Sequence, residues 1–344
     1  MKNNNLWILT EERPKREVIA NILMMFAKDN KFSCFIDTIR ILPILEKGKF
    51  TFLYEVVGFR CNKIERVFIK SVSGFSSFVD FLIFYQEKQP TQKDIPLYAI
   101  EETKTDDTES RNTGVYQRAS KFVFIENYYP ETKKVMLYNL KIEQKEIPTA
   151  TYIFGTKLLL TLGVEIQGKK LEEKIFKPFN SVDEIVAFKK KMRRAPKGNV
   201  PILIKKNGDK ITISGRLFKS DGLAHDPNIG ALSLISAAIR KLGWTGEIII
   251  TKHGLKQKHL QADNKFIKIA NNLKLQIQKL VLPASKERDI YWKYETEGEK
   301  LGTIFIHLVV ENFTKGFSIF ENHAGCEKGY FITSEGKHIP LEKY

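Results

Sequence analysis

The sequence predicts a mixed α/β protein in two parts, and three observations carry that prediction. Apolar runs of strand length, separated by polar turns, fill most of residues 38–104 and are bracketed by amphipathic helical patterns. A polar stretch, KIEQKEIPTA at 141–150, interrupts the pattern, and a basic run follows at 189–197. Beyond Val200 the order becomes strand, helix, strand, which implies a second mixed α/β domain. The expected parts are 1–145, a helical and basic connecting segment at 146–199, and 200–344.

Taken in order, EERPKREVIANILMMFAKD at 11–29 places apolar residues at helical spacing, with acids and Pro14 in the first turn. The run Met24, Met25 and Phe26 reads as core packing. Three extended segments follow: IRILPILE, then FTFLYEVVGF after a Lys47-Gly48-Lys49 turn, then ERVFIKSVSGF. Gly74 and its neighbouring serines permit a bend before the next strand, FVDFLIFY, which begins at Phe78 and carries Asp80 inside an apolar run.

A polar turn leads to IPLYAIEETKT, which carries Glu102 and Lys104. If the tip of this hairpin lies near Thr91, facing positions sum to about 182, which sets Asp80 opposite Glu102. Side chains alternate along a strand, so Glu102 and Lys104 share one face while Glu101 and Thr103 take the other. Asp94, at the turn, reads as its cap. Two adjacent carboxylates repel unless a cation lies between them, and Mg²⁺, held by carboxylate oxygens, waters and a substrate phosphate, is the hard ion suited to that role. A nearby ammonium orients an attacking water, so the chemistry indicated is phosphodiester hydrolysis. Glu102 and Lys104 as a solvent-facing pair on an edge strand is the competing reading.

Asp80 followed, after a hairpin, by Glu102-Thr103-Lys104 resembles the PD-(D/E)XK nuclease signature, and residues 10–140 are similar in layout to the αβββαβ core of restriction endonucleases. Val79 stands where the motif has proline. The resemblance implies a restriction-endonuclease-like core, a mixed sheet flanked by helices. It implies that Asp80 and Glu102 bind Mg²⁺, that Lys104 assists the water, and that Glu17 is a possible extra acid from the first helix. It further implies a Type II restriction endonuclease that leaves 5′-phosphate and 3′-hydroxyl ends on double-stranded DNA. A homodimer and a cognate DNA methyltransferase in the same cell follow from the same likeness.

Composition fits a polyanion partner. Lys and Arg total 56 against 40 acids, a net charge of +16, without a single block of like charge. Hydrophobic content of 42% excludes a mostly disordered chain. The most apolar stretch, TYIFGTKLLLTLGV, is short and contains Lys157, so no membrane span is expected. The N-terminal residues lack a signal-peptide pattern, and a cytoplasmic protein is expected. Cys34, Cys61 and Cys326 are widely spaced and form no C-x-x-C pair, and the six histidines show no H-E-x-x-H, so reduced cysteines and no zinc site are expected.

Candidate DNA contacts come from two places. After Lys104, a helix entry at Asp106 to Ser110 and a buried stripe of Val115, Ala119, Phe122 and Val123 leave Arg111, Asn112, Gln117, Arg118 and Lys121 facing outward. KKVMLYNLK supplies the next strand. In the last part, a hairpin around Asn207-Gly208 is followed by the loop SDGLAHDPNIG, the helix ALSLISAAIRKLGW and the strand EIIITKHGLKQKH. The loop offers His225, Asp226 and Asn228, and the strand end offers Lys252 and His253, as base-reading groups or as a second cluster with Asp226 as metal ligand. The same residues also suit ordinary turns and a solvated helix face. A strand, GTIFIHLVVENF, and a hairpin at 329–341 close the chain.

Overall fold

A computed structural model describes residues 4–11, 14–46, 49–74, 78–103, 114–138, 149–192, 202–215, 218–219, 222–223, 227–255, 260–286, 292–294, 318–320, 330–332 and 338–340. The protein is α/β, with mixed sheets flanked by helices. In chain order the first half runs β1 (Asn4–Thr10), α1 (Arg16–Asp29), β2 (Cys34–Glu46), β3 (Lys49–Cys61), β4 (Ile64–Gly74), β5 (Phe81–Gln86), β6 (Tyr98–Thr103), α2 (Gly114–Tyr128), β7 (Lys133–Tyr138), α3 (Ala150–Thr161) and β8 (Val164–Gln167). The rest runs α4 (Val182–Lys191), β9 (Leu203–Asn207), β10 (Lys210–Ser214), β11 (Phe218–Lys219), β12 (Gly222–Leu223), α5 (Pro227–Lys241), β13 (Glu247–Ile250), α6 (Lys265–Asn272), β14 (Leu275–Ile277), β15 (Trp292–Tyr294), β16 (Ser318–Phe320), β17 (Tyr330–Ile332) and β18 (His338–Pro340). Two compact units result: Met1–Ala99 with Tyr291–Tyr344, and Ile100–Ile290.

In the first unit the strands lie in the order β2-β3-β4-β1-β5, and β15 pairs with the far end of β4. β1 is parallel to β4 and antiparallel to β5. Local pattern does not reveal β1, because Leu6 to Leu9 are buried on both faces and read as a short apolar run. α1 buries Val18, Ile19, Ile22, Leu23, Phe26 and Ala27, one stripe at helical spacing. Phe26 packs near the rings of Phe32, Tyr85 and Tyr98. Met24 is 48% exposed, so the expected Met24-Met25-Phe26 core run reduces to Phe26, since consecutive helical residues point about 100° apart. Pairing also overturns the cysteine expectation. Cys34 and Cys61 are facing residues at the open end of the β2–β3 hairpin and are joined in a disulfide, though 27 positions separate them in sequence.

β2 and β3 do not pair evenly. Ile36 faces Phe59 and Arg40 faces Val57, so Asp37, Thr38 and Ile39 bulge opposite Gly58. Gly58 has φ +86°, and a Cβ there would lie 2.1 Å from the Thr38 carbonyl oxygen. Left-handed backbone and a clash with main chain together disfavour any side chain. Gly58→Ala is therefore expected to destabilise the protein by about 2–4 kcal/mol, read as a lower urea midpoint at unchanged slope. An unchanged midpoint would show that the hairpin re-registers instead.

In the second unit β6, β7 and β8 are neighbours in that order, with β7 parallel to β8. A separate sheet runs β14-β13-β10-β9. A hairpin forms where the dipeptide Asn207-Gly208 predicts it, but Asn207 is the last residue of β9 and faces Lys210, so Gly208, at φ +59°, and Asp209 make the turn into antiparallel β10. β10, β13 and β14 are parallel and are linked through α5 and α6. α5 is apolar on nearly every side, and its buried Ser233 and Ser236 donate to the Ile229 and Leu232 carbonyls at 2.7 Å, leaving neither hydroxyl unsatisfied. Ser181 caps α4 by accepting from the Glu184 amide at 3.2 Å, and Glu184 reaches back to the Asn180 amide at 3.0 Å.

Candidate functional site

The acid at 80 is carried by one of the most buried strands in the chain. Phe81, Leu82, Ile83 and Phe84 are all at most 4% exposed, and Phe78 and Val79 just before them are equally buried. Each such side chain stabilises the fold by roughly 1.5–3 kcal/mol before entropy is counted. Asp80 is half-buried and lies in a bend, so β5 starts at Phe81, three residues later than the strand expected from Phe78. The displacement is physically reasonable, because a strand end lets a carboxylate reach water while Phe78 and Val79 stay in the core.

Register places a second acid beside this point. Thr10 facing Phe81 is the last pair of the β1–β5 ladder, and Glu11 and Asp80 are the residues that adjoin that pair in the chain, each in a bend. Sequence reading passed over Glu11 because β1 itself is hidden from local pattern. Glu17, the acid proposed for α1, is exposed in that helix's first turn. Lys70 on β4 faces Leu9 and is 3% exposed. Its Nζ donates to the Thr51 carbonyl and lies 5.3 Å from the Tyr294 ring centre. Such a buried ammonium is satisfied structurally by these contacts.

The turn after β5 is held by Asp94. Its Oδ2 accepts from the Thr91 amide at 2.6 Å and the Thr91 hydroxyl at 2.8 Å, and the amide bond holds the carboxyl below the usual range. Asp94 thus caps the turn, as its position predicts. The Leu97 amide donates to the Ile83 carbonyl at 2.8 Å, just before β6 begins.

Glu102 belongs to the second unit. Glu101, Glu102 and Thr103 are 1%, 7% and 5% exposed, an unusual burial for two consecutive carboxylates. Alternation gives them opposite faces. Glu101 faces α2, where Lys121 Nζ lies 2.9 Å from its Oε2. Lys121, one of the candidate DNA contacts, thus has its ammonium on a buried acid. A second pairing on the same helix joins Glu126 to Lys134 of β7 at 2.7 Å and to Lys241 of α5. Lys134 is 5% exposed, so Glu126 compensates a charge that burial alone would penalise.

Lys104, Arg111, Asn112, His225 and Asp226 lie outside the described residues. Gln117 and Arg118 occupy α2, and Asn228 the first turn of α5. Lys252 and His253 are exposed in the turn that follows β13, at the carboxyl end of a parallel strand. Of the basic run at 189–197, residues 189–192 are described: Lys189, Lys190 and Lys191 form the last turn of α4, burial lowers the pKa of Lys189, and its Nζ lies 5.3 Å from the Phe154 ring centre.

The donor chemistry suits the proposed ion. Half-buried Asp80 and buried Glu102 are oxygen donors, and Mg²⁺ typically takes one or two carboxylates and keeps several waters. Among the described residues no three His, Cys, Asp or Glu side chains are grouped closely enough to form a complete protein cage. Also among the described residues, no helix is long and apolar enough to cross a membrane. The chain matches no family model, no curated protein and no solved structure.

Proposed function

We propose that the chain is a Mg²⁺-dependent endodeoxyribonuclease of the PD-(D/E)XK type, with the restriction-endonuclease-like core formed around β5 and β6 and the site-specific duplex cutting of a Type II restriction enzyme. The observation that carries the reading is the burial of Glu102 at 7% on β6, two positions before Lys104 in the sequence. A carboxylate held there against the cost of desolvation needs a cation or donors to offset it. The net charge of +16 supports a polyanionic substrate.

In this reading Asp80 and Glu102 hold Mg²⁺, which when bound supplies charge stabilisation for the developing phosphorane. Lys104 orients the attacking water and keeps its proton network in place. Arg111, Asn112, Gln117 and Arg118, with Lys252 and His253, contact the duplex. The products carry 5′-phosphate and 3′-hydroxyl ends. Cutting both strands of a short site calls for a two-fold dimer, and a cognate methyltransferase protects the host.

Incubation of the full chain with supercoiled plasmid in Mg²⁺, beside an EDTA control, tests this. Discrete fragments dependent on Mg²⁺ are expected. Smearing would move the assignment to a structure- or damage-specific repair nuclease, and retention of DNA without cutting would make the protein a binding protein alone.

A further inference from the structure

The first unit carries a basic cleft that the proposed nuclease chemistry does not use. It encloses about 620 Å³ between the start of α1 and the β2–β3 hairpin, within the size range of small-ligand sites. Arg16, Arg40 and Arg60 line it, with Asp37 as the acid, so the wall carries a surplus of two positive charges. Phe35 lines it too and is 64% exposed, although it is a large aromatic.

Local structure explains why these groups converge. Phe35 and Arg60 are facing residues, next to the Cys34–Cys61 pair that ties the hairpin's open end. The bulge opposite Gly58 then turns β2 before Arg40, and a bulge re-aims side chains that regular pleating would send elsewhere. Asp37 and Thr38 line the cleft because they belong to that bulge. A conformation that only glycine accepts is maintained where three guanidinium groups gather.

Guanidinium forks match phosphate oxygens, and an exposed aromatic ring offers a platform to an unpaired base, whereas a base inside a duplex is unavailable for stacking. Asp37 adds an acceptor for a ring or amino N–H of that base, the N3–H in the case of thymine. We propose that this cleft binds single-stranded nucleic acid, holding backbone phosphate on Arg16, Arg40 and Arg60 and stacking one base on Phe35. The proposal stands on the first unit alone and is tested without metal, so failure of the cleavage reading leaves it intact.

The test is fluorescence anisotropy of a labelled oligo(dT) with the full chain in EDTA, across a range of salt. Phe35→Ala is expected to weaken binding about tenfold and leave the salt slope unchanged. Arg40→Gln with Arg60→Gln is expected to flatten the slope of log K against log salt by about 1.4, the loss of two single-strand phosphate contacts. Affinity for a blunt duplex should not respond to Phe35→Ala. Circular dichroism identifies any variant that fails to fold, and Phe35→Leu then replaces Phe35→Ala. Wild-type affinity and slope in both variants would overturn the proposal. So would displacement of the oligonucleotide by equimolar inorganic phosphate, which would mark a simple anion site.

Discussion

Glu102→Gln is expected to reduce Mg²⁺-dependent plasmid cleavage by at least about a thousandfold while the protein stays folded. The substitution keeps size, removes the charge and turns one acceptor oxygen into an NH2 donor. A neutral amide is a poor ligand for a hard divalent ion and cannot balance it, so metal occupancy and stabilisation of the transition-state charge fall together. Because Glu102 is 7% exposed, the uncharged side chain is also cheaper to desolvate, and the protein without metal should remain folded. The pairing of lost cleavage with retained folding is the signature, read by gel electrophoresis and differential scanning fluorimetry. Glu101→Gln serves as the contrast. Glu101 is ion-paired to Lys121, so its replacement should lower stability by leaving a partly buried ammonium without its counter-charge. Cleavage that survives Glu102→Gln at full rate would remove Glu102 from the chemistry.

Arg240→Met is the substitution expected to cost the second unit most stability. One guanidinium donates to four main-chain carbonyls: Trp244 and Gly246 at 2.8 Å, Leu273 at 2.9 Å and Lys274 at 3.2 Å. Trp244 and Gly246 lie in the turn from α5 to β13, and Leu273 and Lys274 in the turn from α6 to β14. The carbonyls at the end of α6 lack helical partners, and Arg240 supplies them. Burial lowers the pKa of this arginine, which nonetheless stays charged near neutral pH. Bonds from a charged donor contribute about 1.5–3 kcal/mol each but are not additive, so roughly 3 kcal/mol in total is expected. For a unit of this size that lowers the melting temperature by about 6–12 °C. Arg240→Lys should recover only part of it, since an ammonium cannot reach both turns in the same plane. A change under about 1 kcal/mol would mean that water replaces the guanidinium without loss.

Where the deciding interactions are local, sequence revealed the outcome. Asn207-Gly208 marks the β9–β10 hairpin to within one residue of its Gly208-Asp209 turn, Ser181 with Glu184 specifies the start of α4, and the spacing from Val18 to Ala27 specifies the buried face of α1. Asp94 as a turn cap belongs to the same class, because its bonds reach back three residues. What local pattern missed depends on partners far along the chain. β1 is a central strand only because β4, some sixty residues later, lies parallel to it, and Glu11 is a neighbour of Asp80's strand only through β1. Cys34 meets Cys61 only because the long hairpin brings its open end together. α6 and β14 passed unseen because each is short, and what makes β14 a strand is the parallel register it keeps with β13. The candidate acids themselves were legible because charged residues inside apolar runs stand out, yet the burial of both Glu101 and Glu102 was not, since alternation alone assigns only one of them to the interior.

The pairing of β15 with β4 also has a consequence for biosynthesis. Trp292 faces Gly74, a partner made about two hundred residues earlier, so the far end of β4 emerges from the ribosome long before its neighbour. At about 5–20 residues per second the delay is on the order of 10–40 s, during which a strand edge with unpaired amides and carbonyls is presented to other nascent chains. The whole of Ile100–Ile290 is synthesised within that interval, so it has the opportunity to fold first and the unit that encloses it in sequence is completed last.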